Sequence, residues 1–190
     1  MPLAGAPSAA PTTLEGLVPL LHAPFQPFGV GVTEIVTLPG QVVVSLLLVL
    51  LAARQLWKRG RVEAAACWTA AWFAAVAVEL LFRHTLTRPP LYRDGVHLVA
   101  FDSSWPSGHA LRCALVAAAL ATVRPRLRIP LLIWLATAVV LLELAGFHTP
   151  TDLVGGLLLA TAAAGGAVAV ERSGFLRRRR ARLRRPGSRT

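Results

Sequence analysis

Residues 105–123 read WPSGHALRCALVAAALATV. A polar opening, Trp105-Pro106-Ser107-Gly108-His109, gives way to an apolar run that only Arg112 interrupts with a charge. A run of this kind is a membrane span or a buried helix. Four others settle the choice: Ile35–Leu56, Val62–Phe82, Ile129–Phe147 and Leu153–Val170. With Ser107–Val123 they make five, each near the ~20 residues that cross a hydrocarbon core. The chain has 190 residues, 55% of them hydrophobic, and a mean hydropathy of +0.58. A soluble domain of that size has too little interior for five such runs. The expected fold is therefore an all-α, polytopic transmembrane helical bundle. Pro39-Gly40 breaks the start of the first span and predicts a kink there. Leu14–Phe28 is apolar but cut by Pro19, Pro24 and Pro27. It reads as an interfacial segment, with a sixth span as the alternative.

The formal charge of +11 suggests nucleic acid until its distribution is considered. Basic residues fill short loops and one terminal run, not an amphipathic face. Arg54, Lys58, Arg59 and Arg61 follow the first span. Arg124, Arg126 and Arg128 follow the third, and nine arginines from Arg172 to Arg189 follow the fifth. The positive-inside rule makes these faces cytoplasmic. The tail reads as a topology anchor touching anionic lipid, with no nucleic-acid partner expected. The N-terminus, the 83–106 loop and the 147–152 turn then lie outside, where Arg83, Arg88 and Arg93 go against the rule and call for an anionic neighbour. Cys67 and Cys113 sit inside apolar runs, so neither a disulfide framework nor a Cys/His metal site is expected. Met1–Pro11 has no basic region, so no cleavable signal peptide is expected. The resulting division is a tail and interfacial segment over 1–34, a membrane domain over 35–171 and a basic cytoplasmic tail over 172–190.

The polar residues cluster at the outer ends of these spans. Arg83 and Arg88 leave the membrane together, and arginine's planar fork of donors matches phosphate oxygens. Pro106 suits the first turn of a helix. Ser107 and Gly108 would expose amides at a helix N-terminus, an anion-binding geometry, and glycine would let a phosphoryl oxygen approach closely. His109 lies one residue deeper. His148 and Asp152 are spaced i, i+4, so the carboxylate can accept a ring N–H and leave the other imidazole nitrogen as a nucleophile. Two histidines, an acid and two arginines at one end of a bundle suit phosphoryl transfer through histidine. The plainer readings are snorkelling arginines, a simple helix cap and an incidental histidine. The Gly155-Gly156 and Gly165-Gly166 pairs are expected to let the last helix pack closely. His22, His84 and His97 have no partner that the sequence identifies.

At these residues the chain resembles the type 2 phosphatidic acid phosphatase superfamily, whose pattern is K-x6-R-P, P-S-G-H, then S-R-x5-H-x3-D. Pro106, Ser107, Gly108 and His109 match the second motif completely. His148 and Asp152 match the third, and the resemblance covers roughly Val62–Val170. Three positions depart. The Ser-Arg pair counts back to Leu141 and Leu142, and the first-motif lysine counts to Leu81 beside Arg88-Pro89. Arg83 fills the lysine role if the loop is shorter. Arg93 and Arg112 are candidates for the missing arginine, with Glu79 or Glu143 as partner to Arg112. The resemblance implies a metal-independent phosphatase of membrane lipids without a cofactor. In it Arg88, Arg83, Ser107 and Gly108 hold phosphate, His148 attacks phosphorus, Asp152 orients His148, and His109 moves the proton. The substrate it implies is a lipid phosphate or diphosphate, for example an isoprenoid diphosphate or a glycerophospholipid phosphate. A lipid phosphotransferase and a catalytically weak relative that binds or moves lipid phosphates remain as alternatives. An arginine restored at Leu142 is expected to raise activity.

Overall fold

The computed structural model describes residues 26–86, 92–93, 96–97, 105–145 and 147–174. Six helices account for nearly all of them. Helix α1 covers Gln26–Thr37, and a 3-10 turn over Leu38–Gly40 leads into α2, Val42–Lys58. Then come α3 (Val62–Thr85), α4 (Gly108–Val123), α5 (Arg128–Leu144) and α6 (Pro150–Ser173). Between α3 and α4, two-residue strands β1 (Tyr92–Arg93) and β2 (Val96–His97) pair antiparallel.

Five of these helices occupy the five apolar runs, with one correction at the start. Ile35 to Thr37 belong to α1, not to the first span. Pro39 has no amide to donate, so the α-helix stops and restarts at Val42. The two pieces meet at a bend of 45°. Gln26–Phe28, at the end of the segment read as interfacial, form the first residues of α1; the rest of that segment lies outside the described residues. By length and composition α3, α5 (with the 3-10 turn before it) and α6 can each cross a membrane, and the bent α1–α2 pair makes a fourth span if counted as one. Helix α4 is the exception, with 16 residues. At 1.5 Å per residue it is ~24 Å long, short of the ~30 Å core.

That short helix is the centre of the bundle. It packs against α2, α3, α5 and α6. Leu111, Leu115, Val116 and Ala119 of α4 are buried against Val49 and Leu56 of α2 and Ala64, Trp68 and Trp72 of α3. Alanines dominate these contacts and let the helix backbones come close. The large aliphatic side chains lie outside: Ile35 is 75% exposed, Ile129 70%, Val43 68% and Leu158 65%. Small residues inside and large apolar ones outside is the pattern of a bundle solvated by lipid.

Successive helices α2 to α6 run up and down. Arg61, before α3, bonds Glu171 near the end of α6 at 2.6 Å, and the Arg59 guanidinium donates to the Val123 carbonyl at the end of α4. Arg59, Arg61, Arg124, Arg126, Arg128 and Arg172 therefore share one end of the bundle. The end of α3 and the starts of α4 and α6 share the other.

Candidate active site

The site is built where α4 and α6 begin. Ser107 caps α4, and its hydroxyl oxygen accepts the Ala110 amide at 3.3 Å. The Ser107 amide donates to the Asp152 carbonyl at 2.9 Å and ties the two helix starts together. This corrects the expected phosphate cradle in one respect. The Ser107 N–H is already engaged, so the first-turn amides left for an anion are those of Gly108 and His109. Pro106 stands ahead of the cap instead of inside the first turn.

Helix α6 opens with a reciprocal cap. The Thr149 hydroxyl accepts the Asp152 amide at 3.4 Å, and Asp152 Oδ2 accepts the Thr149 amide at 3.1 Å. Asp152 is fully buried, and His148 is 5% exposed. His148 Nδ1 lies 3.9 Å from Asp152 Oδ2. That is longer than a hydrogen bond. Nδ1 is a buried nitrogen with no hydrogen-bond partner among the described residues. Catalytic hydrogen bonds are often long before substrate binds. The expected hydrogen bond from ring to acid is not formed; the ring faces the acid, whose Oδ2 accepts the Thr149 amide instead.

Glycines allow the tie between α4 and α6. A Cβ on Gly156 would overlap the Ser107 carbonyl, and one on Gly155 would overlap the Trp105 ring. Trp105 in turn packs on Phe82 with ring centroids 5.2 Å apart. The expectation of close packing therefore holds for Gly155-Gly156. It fails for Gly165-Gly166, around which a Cβ would meet nothing within 4 Å.

Under this platform lies a buried charge cluster. Glu79 Oε1 meets Arg83 Nη2 at 3.1 Å, and Glu79 Oε2 meets Arg112 Nη1 at 2.6 Å. Arg112 Nε donates to the Gly40 carbonyl at 2.6 Å. Of the two acids considered as partner to Arg112, Glu79 is the one. Gly108 sits directly over the pair, and a Cβ there would strike the Glu79 carboxylate and the Arg112 guanidinium. The reason for glycine at this position is thus an ion pair on its inner side. Arg83 Nη2 also reaches the Pro106 carbonyl at 3.5 Å. His109 feels the charges of Arg112, His148 and Arg83, and Arg83 feels Asp152, so the two imidazoles, the acid and two arginines form one electrostatic neighbourhood.

Other candidates fall elsewhere. Arg88 lies outside the described residues, and Arg93 is in β1. Leu81, at the first-motif lysine position, is 57% exposed on the outside of α3. Arg83 is the residue turned inward, on the face of Glu79 one turn away. Leu142, where the third-motif arginine is missing, is buried against Ala110 and Leu153. Sequence reasoning missed the Gly40 carbonyl and the Ser107–Asp152 backbone bond. No motif signals either one. Among the described residues no three His, Cys, Asp or Glu side chains group as a metal site.

Helices of this kind, with two histidines and two arginines at one end, define a membrane-type helical bundle. The family model of the PAP2 superfamily matches residues 80–173, from the last turns of α3 to the end of α6, and with this segment the chain belongs to that superfamily. Membership implies phosphatase-like activity on a phosphate-containing substrate. No curated protein and no solved structure matches the chain.

Proposed function

We propose that the chain is an integral membrane phosphatase that hydrolyses a lipid phosphate or diphosphate on the extracytoplasmic face through a phosphohistidine. The observation that carries this reading is the buried His148 imidazole, its Nδ1 facing Asp152, set in the same neighbourhood as His109, Arg83 and Arg112.

The chemistry runs in two steps. Arg83, with Arg88 and the Gly108 amide, holds the phosphoryl oxygens. His148 attacks through Nε2, the nitrogen not facing Asp152. An N–P bond forms as the bond to the leaving oxygen breaks, and His109 gives that oxygen a proton. Asp152 stabilises the imidazolium. Water then attacks phosphorus, His109 takes its proton, and the N–P bond breaks to release phosphate. Arginines and helix-start amides supply the positive field. The arginines at the opposite end of the bundle support an outward-facing site.

A lipid substrate is supported by a cavity of about 720 Å³ between α4, α5 and α6, lined by Ala114, Ala118, Leu131, Leu135, Leu157 and Ala164 among others. Ala114 and Leu157 each lie five residues past a site residue, His109 and Asp152, or ~7 Å along the helix. A single hydrocarbon tail fits such a space. The buried Leu142 favours the alternative of a catalytically weak binder of lipid phosphates, since it leaves that corner without a cation.

The purified chain in detergent micelles, offered a panel of lipid phosphates and diphosphates without added metal, separates these readings. Phosphate release that His148→Ala abolishes is the expected result, with acid-labile phosphate trapped on the wild-type protein. Release that persists in His148→Ala refutes the covalent scheme. Transfer of the phosphoryl group to a second lipid identifies a phosphotransferase, and binding without turnover on any substrate identifies the binder.

A further inference from the structure

Arg112 is a buried cation whose guanidinium lies directly beneath Gly108, on the inner side of the helix start. Its side chain is 7% exposed and that of Glu79 is 3% exposed. One guanidinium nitrogen goes to Glu79 and another to the Gly40 carbonyl, which the 3-10 turn before α2 presents. Both anchors come from parts of the chain ahead of residues 80–173. Burying a charge in this way is costly unless it serves a purpose.

The charge count shows one. Among the described residues, four formally charged side chains sit beneath and beside the helix starts: Glu79 and Asp152, both negative, and Arg83 and Arg112, both positive. They sum to zero. Without Arg112 the same floor carries one net negative charge, directly under the amides meant for an anion. In a low-dielectric surrounding such a charge repels phosphate over several ångströms. Leu142 supplies nothing to offset it.

We propose that Arg112 is an electrostatic positioning residue for the phosphate site: clamped by Glu79 and the Gly40 carbonyl, it cancels the floor's excess negative charge and stands in for the cation absent at Leu142. It acts through the Gly108 turn without touching the substrate. This rests on the phosphatase reading.

The test is equilibrium binding of inorganic phosphate to the full chain in detergent, with thermal unfolding measured on every variant. Arg112→Met is expected to weaken phosphate binding about tenfold or more. Arg112→Lys keeps the charge and is expected to stay within about threefold of wild type. The decisive variant is Glu79→Gln with Arg112→Met. It restores a floor of zero net charge and is expected to recover most of the lost affinity, although it has one ion pair fewer. Glu79→Gln alone is expected to bind phosphate at least as tightly as wild type. A purely structural cluster gives the opposite order, with the double variant the weakest binder and the affinities following the unfolding temperatures. If Arg112→Met does not fold, the lysine and double variants still decide. Wild type that binds no phosphate overturns the phosphatase reading itself. Wild type that binds, with Arg112→Met unchanged or the double variant no better than the single, overturns only the role of Arg112.

Discussion

Replacing Gly156 by alanine adds one carbon at the point where α4 and α6 touch. That carbon would overlap the Ser107 carbonyl, with the Leu111 amide at 3.2 Å and the Ala110 Cβ at 3.3 Å behind it. Two of the three neighbours are backbone and cannot rotate away. To reach ordinary contact, which begins at 3.4 Å, the helix starts must part by on the order of 1 Å. The Ser107–Asp152 backbone bond, now 2.9 Å, does not survive that movement. Overpacking costs about 1–3 kcal/mol, and the lost hydrogen bond about 1 kcal/mol more. Alanine's better helix propensity returns up to ~1 kcal/mol. The net is a destabilisation of about 1–3 kcal/mol. The effect on turnover is larger, because the same bond sets His109 relative to His148 and Asp152. A shift of ~1 Å in such a constellation lowers kcat by about a hundredfold. The assay is phosphate release and thermal unfolding in the same micelles, with Gly165→Ala as control. No atom lies within 4 Å of a Cβ at Gly165, so that variant is expected to match or slightly exceed wild-type stability at full activity. Wild-type unfolding and wild-type kcat in Gly156→Ala would show that the two helix starts are not held as described.

Two other outcomes follow from the same geometry. Ala118→Phe fills part of the cavity between α4, α5 and α6; it is expected to raise KM severalfold for a long-chain lipid phosphate while leaving hydrolysis of a short water-soluble phosphate ester unchanged, and equal effects on both would remove the cavity from substrate binding. Leu142→Arg is expected to destabilise the bundle by about 3 kcal/mol or more instead of raising activity, because Leu142 is buried in apolar packing against Ala110 and Leu153; a lowered unfolding temperature checks this, and a more active, equally stable variant would contradict it.

Hydropathy made most of the fold legible. Five of the six helices begin or end within a few residues of an apolar run, because the bilayer imposes a length and a composition that a one-dimensional reading detects. The bend before Val42 was half legible: Pro39 marked the break, but not that Ile35–Thr37 belong to a separate helix. The central place of α4 was not, since its buried face is distinguished by what packs on it and not by its own apolarity. At the candidate site, the nearness of His148 to Asp152 was legible from their i, i+4 spacing. The choice of Arg83 over Leu81 was also within reach, because Glu79 and Arg83 share a helical face and Leu81 points away. The roles of Gly108 and Gly156 were not. A glycine in the sequence says that a side chain is unwelcome, and only the fold says what stands in its way.

The short bond from the Ser107 amide to the Asp152 carbonyl makes a single jaw of the two helix starts that carry His109 and follow His148. Neither can swing open without the other. The tip of α3 joins that platform through the Glu79–Arg112 ion pair at 2.6 Å, through Phe82 against Trp105, and through Arg83 at the Pro106 carbonyl at 3.5 Å. The rim where the two histidines sit is therefore tied across three helices, and under the proposed reaction a headgroup would meet a site already set before it arrives.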